Sequence, residues 1–153
     1  FLSRMLHRLT LFITGSILVG LSHYAAIAQE TPQVAFSNVN PGIVEPMLGN
    51  MKILQSTAPA TLSVNVPSEL AAQISILAPN LVEGASDDPE GTTRVGFLNF
   101  GANSLSSNSQ NNTANLPTGN TDLEVRMRVE RPVAFTPGNY NYRLNLSVTV
   151  TPP

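Results

Sequence analysis

An all-β domain, an antiparallel sandwich of about seven strands, is the fold this sequence predicts, and three observations carry that expectation. Two stretches alternate apolar and polar residues strictly, "LEVRMRVERP" from position 123 and "YNYRLNLSVTV" from position 140, which is the period of a half-buried strand. No stretch of ten or more residues after position 28 keeps the 3.6-residue period of a helix, so nothing is on hand to cover a parallel sheet. Twelve prolines and ten glycines break the chain into short segments, the spacing expected of strands joined by turns. A closed barrel is the lesser alternative.

The first 28 residues stand apart. Arg4 and Arg8 precede an apolar stretch over 9–21, and Ala26-Ile27-Ala28 fits the small-residue rule for cleavage, so a signal peptide over 1–28 and a mature start at Gln29 are expected. The rival is an uncleaved anchor, which needs roughly 18–20 apolar residues. Thr14, Gly15, Ser16 and Ser22 dilute a run that is already short.

Residues 29–153 then form one domain. "QVAFSNV" reads as a short first strand and "NPGIVEPMLGN" as a connection. "MKILQS" and "ATLSVNVP" are the next strands, the second with Leu62, Val64 and Val66 inward. "SELAAQ" has the makings of one helical turn capped by Ser68 before "AAQISILAP" extends with Ile74 and Ile76 on one face. "NLVEGASDDPEGTT" reads as a loop. "RVGFLNFG" is apolar on both sides, the mark of a central strand or of a bulge at Gly96. Asn and Ser dominate 102–122, where Leu105 and Leu116 are the only large apolar residues, and a mobile polar loop is expected. Leu123, Val125, Met127 and Val129 then point inward, "VAFTPGNY" turns the chain, and the final strand places Tyr140, Tyr142, Leu144, Leu146, Val148 and Val150 on one side.

Composition narrows the chemistry. Both histidines, His7 and His23, lie in the first 28 residues, and the chain has no Cys and no Trp. Residues 29–153 therefore have no Ser-His-Asp or Cys-His site and no zinc site of the usual kind. Six cations against ten acids leave that part at −4, a poor match to nucleic acid. Arg126, Arg128 and Arg131 are the only basic group. Interspersed with Glu124 and Glu130, they read as one solvated strand face with cross-strand ion pairs before they read as an anion site.

The acidic loop offers the one candidate ion site. Asp87, Asp88 and Glu90 place three carboxylates in a Gly-flanked segment, and Ca²⁺ takes six to eight oxygens. The EF-hand spacing is absent, and an exposed polar turn explains the same residues. Catalysis by paired acids is not expected, because Asp87 and Asp88 are neighbours in a loop with no cleft, and Asp122, Glu124 and Glu130 share an outward face.

Gly138-Asn139-Tyr140-Asn141-Tyr142 matches the spacing of the tyrosine corner in immunoglobulin-type sandwiches, in which a Tyr hydroxyl closes the turn two residues before an inward position. The simpler reading makes both rings ordinary aromatics of an alternating strand. If the corner holds, the strand after Tyr140 is the sixth of the usual seven, and its sheet exposes an unpaired edge that another strand can fill.

The layout of signal peptide, β-rich body, polar loop, alternating strand and closing "PGNYNYRLNLSVTVTPP" resembles bacterial secreted pilin-like domains of the spore coat protein U and chaperone-usher class, most specifically over 123–151. The resemblance implies an immunoglobulin-like sandwich that polymerises through a donated strand; here the candidate donor is "TPQVAFSNV", with Val34 and Phe36 alternating. Many such subunits carry cysteines that this chain lacks. The expected function is an exported structural or adhesive surface domain, extending to a fibre subunit, periplasmic or at the cell surface. Its expected partners are identical or related subunits, and it meets membrane only through the signal peptide during export. The alternative is a monomeric secreted module that binds carbohydrate or Ca²⁺. No enzyme activity and no other cofactor are expected.

Overall fold

The computed structural model describes residues 7–8 and 32–151, so the expected signal peptide lies outside the described residues except for one pair. In chain order the strands are β1 (His7–Arg8), β2 (Ala35–Asn40), β3 (Ile43–Met47), β4 (Asn50–Ala58), β5 (Ala60–Val66), β6 (Ala71–Ile76), β7 (Asn80–Gly84), β8 (Thr93–Phe100), β9 (Asn103–Ser106), β10 (Thr113–Leu116), β11 (Gly119–Glu130), β12 (Tyr140–Arg143) and β13 (Leu146–Thr151). Every pairing is antiparallel. The all-β expectation holds.

The large sheet is built on β11, whose twelve residues alternate buried and exposed from Leu123 onward. One edge of β11 pairs β5 through Leu123↔Leu62 and then β4 through Val129↔Leu54; the other pairs β8 through Val125↔Leu98. β4 and β5 are thus two halves of one long strand interrupted at Pro59, which has no N–H for the ladder. The Ser56 hydroxyl fills the gap by accepting the Met127 N–H at 2.8 Å. β2 and β3 run alongside as a second long strand, broken at Pro41-Gly42. A Cβ on Gly42 would lie 2.5 Å from the Ala60 nitrogen and 2.7 Å from the Ala58 oxygen, so only glycine lets the two breaks cross. Asn38, at φ 53°, takes up the accompanying register shift in β2, a conformation Asn tolerates. The stretch expected as a plain connection therefore holds β3, with Pro46 tolerated in a strand that lies at the sheet's edge beyond the short β1.

The small sheet has the order β10-β6-β13, and β7 pairs β12 as its continuation. Leu77 N–H donates to the Asn145 carbonyl at 3.0 Å across the break, so 71–84 and 140–151 are one long kinked pair. The expected helical turn at Ser68 is instead a tight turn closed by Leu70 N–H to the Pro67 carbonyl at 3.1 Å.

The two sheets face each other across one core. Leu62, Val64, Leu98, Leu123, Val125, Met127 and Val129 meet Ile74, Ile76, Tyr142, Leu144, Leu146 and Val148. Gly96 sits on the inward face of β8, where a Cβ would come within 2.9 Å of Ile76 Cδ1 and 3.0 Å of Leu144 Cδ2. β8 has partners on both edges and no register shift at Gly96, so its two-sided apolarity reflects an interior strand and not a bulge.

The polar segment 102–122 is a correction. In place of a structureless loop it forms β9, β10 and the start of β11, with Leu105 and Leu116 buried in the core. Two well-placed leucines, together with ladders to β8 and β6, supply what average composition hid. Those strands, with the broken long ones, take the strand number above the expected seven.

Candidate functional site

The acidic loop and the end of β11 meet at one end of the sandwich. Glu130 pairs with Ile53 near the tip of the β3–β4 hairpin, so Arg131, the next residue, falls beside that tip. Its parity continues the inward series Leu123, Val125, Met127 and Val129, and its side chain is buried. A buried guanidinium needs its charge and donors satisfied. Nε donates to Asp88 Oδ1 at 2.9 Å, Nη1 to Ser86 Oγ at 2.7 Å and Nη2 to the Ser86 carbonyl at 2.9 Å. The guanidinium carbon also lies 4.0 Å from the Phe135 ring centroid and 5.1 Å from that of Tyr140, so two π faces flank the cation.

Asp88 is the hub. Its side chain is 3% exposed, and its Oδ2 accepts from Arg94 Nε at 2.7 Å while Oδ1 also accepts from the Tyr142 hydroxyl at 2.8 Å. Burial raises the Tyr142 pKa well above its ordinary value, and the bond to Asp88 adds to the rise. Tyr140 completes the arrangement: its hydroxyl donates to the Thr136 carbonyl at 2.7 Å, and 2.9 Å separates it from Ser86 Oγ. The ring meets Phe135 edge-on at 5.2 Å and 86°. The backbone bond four residues upstream is the tyrosine corner the sequence suggested, here on Tyr140, with Tyr142 inward two residues later.

This geometry gives Asp88 a structural role. Asp87 and Glu90 are exposed, whereas Asp88 is turned inward onto two guanidiniums and a phenol. Among the described residues no three His, Cys, Asp or Glu side chains come together as a metal ion needs. A Ca²⁺ ion at Asp88 would have to displace both arginines. The basic group is split as well. Arg126 and Arg128 point outward, opposite Phe97 and Val95, and Arg128 pairs with Glu130 at 3.3 Å on the surface, while Arg131 leaves that face altogether. The solvated-face reading thus fits Arg126 and Arg128 and fails for Arg131. The signal was present in the sequence: position 131 has inward parity, and an arginine there calls for a buried carboxylate.

Two further features are exposed to partners. β2 ends the large sheet and β13 ends the small one, as β9 and β10 do at the other ends, and among the described residues no strand pairs with the outer edge of β2 or β13. Phe36 on β2 and Val150 on β13 pack against the core but remain half buried. On the small sheet, Gln73, Asn115, Thr118, Thr149 and Thr151 line a groove of about 410 Å³ together with Leu70, Ala71, Ala72 and Leu116, and Gln73 Nε2 donates to Asn115 Oδ1 at 3.0 Å. Comparison of the chain with protein-family models, with curated proteins and with solved structures finds no match.

Proposed function

We propose that this chain is an exported structural or adhesive surface domain that associates with identical or related subunits by strand pairing at its open edges. The observation that carries the reading is that, among the described residues, no strand pairs with the outer edges of β2 and β13, each of which has a half-buried apolar side chain beside it. An edge of this kind leaves a row of backbone donors and acceptors, and a strand from a second molecule satisfies them while covering Phe36 and Val150. Export is expected from residues 1–28, and residues 29–153 contain no His and no Cys with which to build the commoner hydrolytic sites.

Strand pairing is tested by the size of the purified protein. SDS-resistant ladders are expected, and deletion of 29–39 should abolish them. Because the chain has no cysteine, Ser37→Cys and Thr149→Cys on separate copies should cross-link on oxidation. A monomer that forms neither ladders nor the mixed disulfide contradicts the proposal. The groove on the small sheet favours a second reading, a carbohydrate-binding module, since amide and hydroxyl groups line it. Titration with oligosaccharides, followed through shifts of the Gln73 and Asn115 amide resonances, separates the two.

A further inference from the structure

The outer faces of the two sheets carry different chemistry. Asp122, Glu124, Arg126, Arg128 and Glu130 all stand on the outward side of β11 in the large sheet. The small sheet buries Ala72, Ile74, Leu116, Leu146 and Val148, and the strand period turns the residues between them to solvent. Register sets those residues in rows, Thr113, Ser75 and Ser147 in one and Asn115, Gln73 and Thr149 in the next. Neither row contains a charged side chain. Beyond the second row Ala71 has only a methyl group to set beside Thr151, and the groove opens there.

We infer that this groove takes an uncharged glycan by a pair of adjacent hydroxyls, an assignment that rests on the carbohydrate reading of the groove and names the class of sugar. The Gln73 Nε2 bond to Asn115 Oδ1, at 3.0 Å, ties two amides together across β6 and β10. It uses one donor of Gln73 and one lone pair of Asn115. Among the described residues, Gln73 Oε1 and Asn115 Nδ2 have no other protein group bonded to them. An acceptor and a donor are therefore held side by side at the groove. A vicinal diol answers both, one hydroxyl donating to Gln73 Oε1 while its neighbour accepts from Asn115 Nδ2. Because the amides already hold each other, little side-chain freedom is lost when the sugar binds.

Other ligands fail on the same groups. A carboxylate, sulfate or phosphate oxygen only accepts, so it is repelled by Gln73 Oε1, and none of the nine described lining residues is a cation to offset its desolvation. An extended peptide is recognised through backbone groups at an open edge, whereas β6 has its ladders filled on both sides by β10 and β13. A purely apolar ligand would bury the two amides unpaired. A sugar ring suits both kinds of lining: Leu70, Ala71 and Leu116 face its carbon surface, and the hydroxyls of Thr118 and Thr149, which donate or accept, face its remaining oxygens. The volume of about 410 Å³ lies toward the lower end of the range for ligand clefts, room for a short stretch of glycan. No aromatic ring is among the described lining residues, so stacking adds nothing and a Kd on the order of 1 mM is expected.

The test titrates the isotopically labelled full chain with uncharged hexasaccharides of glucose, xylose and mannose. Hexagalacturonate serves as the anionic probe, and permethylated maltohexaose keeps the carbon skeleton without a hydroxyl donor. The side-chain amide resonances of Gln73 and Asn115 should move with at least one uncharged sugar at millimolar concentration and stay in place with the other two probes. Asn115→Asp exchanges the donor for an acceptor at equal size and still accepts from Gln73 Nε2, and it should weaken the uncharged sugar about tenfold. Arg126→Ala, on the outer face of the large sheet, should leave the titration as it was. Asn115 is exposed, so the Asn115→Asp circular dichroism spectrum should match that of the parent chain. Hexagalacturonate or the permethylated probe binding as tightly as the uncharged sugars, or full affinity retained by Asn115→Asp, overturns the inference and leaves a carbohydrate site of another kind. Silence from all three uncharged hexasaccharides at about 10 mM overturns the carbohydrate reading together with it. Strand pairing is judged separately, by the size of the protein in the same samples.

Discussion

Replacing Arg131 by alanine tests the centre of the structure. The substitution removes the 2.9 Å ion pair to Asp88, two hydrogen bonds to Ser86 and the cation between Phe135 and Tyr140. Breaking a buried pair by deleting one partner costs about 3–5 kcal/mol. Asp88 keeps Arg94 and the Tyr142 hydroxyl, which places the loss near the lower end, about 3 kcal/mol. For a domain of this length that corresponds to a fall in Tm of roughly 10 °C. Urea unfolding followed by far-ultraviolet circular dichroism measures it, with Asp88→Ala and the double variant completing a cycle. The double variant should be more stable than the sum of the two losses predicts by about 2 kcal/mol, because neither charge is then left buried alone. A loss below about 1 kcal/mol for Arg131→Ala, or additive single effects, would refute the claim that this cluster braces the end of the sandwich.

The remaining predictions concern pH, packing and metal. Tyr142 has a pKa raised by burial, so the unfolded chain, with the ordinary value of 10.0, loses that proton first. Its contribution is complete below pH 10 and is lost as pH climbs toward the folded value; stability should decline above about pH 10, and Tyr142→Phe should flatten the decline in alkaline urea titrations. Gly42→Ala should destabilise far more than Gly96→Ala, since the new methyl meets backbone of β4 and β5 in the first case and the movable ends of Ile76 and Leu144 in the second; chemical denaturation of the two variants compares them directly. Added Ca²⁺ or EDTA should leave Tm unchanged, because Asp88 is already taken by Arg94 and Arg131; a rise of several degrees with Ca²⁺ would restore the ion site to consideration.

Much of the frame was legible in the sequence because the chemistry of a half-buried strand is local. Alternation at Leu123, Val125, Met127 and Val129, and again from Tyr140 to Val148, names the inward side chains whatever lies opposite them, and all of these are buried. The tyrosine corner was equally readable, since the Tyr140 hydroxyl and the Thr136 carbonyl are only four residues apart. Other features depend on partners distant in the chain. The 102–122 segment looked too polar to order, yet β8 and β6 give its backbone ladders and its two leucines a core. Pro46 argued against a strand until the pairing placed it at an edge.

The sequence by itself determined which faces are apolar and which chemistries are absent, because alternation and residue inventory need no neighbours. Only the tertiary structure decided that Asp88 meets Arg131 across 43 positions, that Arg131 is buried, and that, among the described residues, β2 and β13 have no partner on their outer edges. The physical reason is that the fate of a charge, or of an unpaired backbone group, is set by whatever group the fold brings within about 3 Å of it, and sequence spacing carries no such distance.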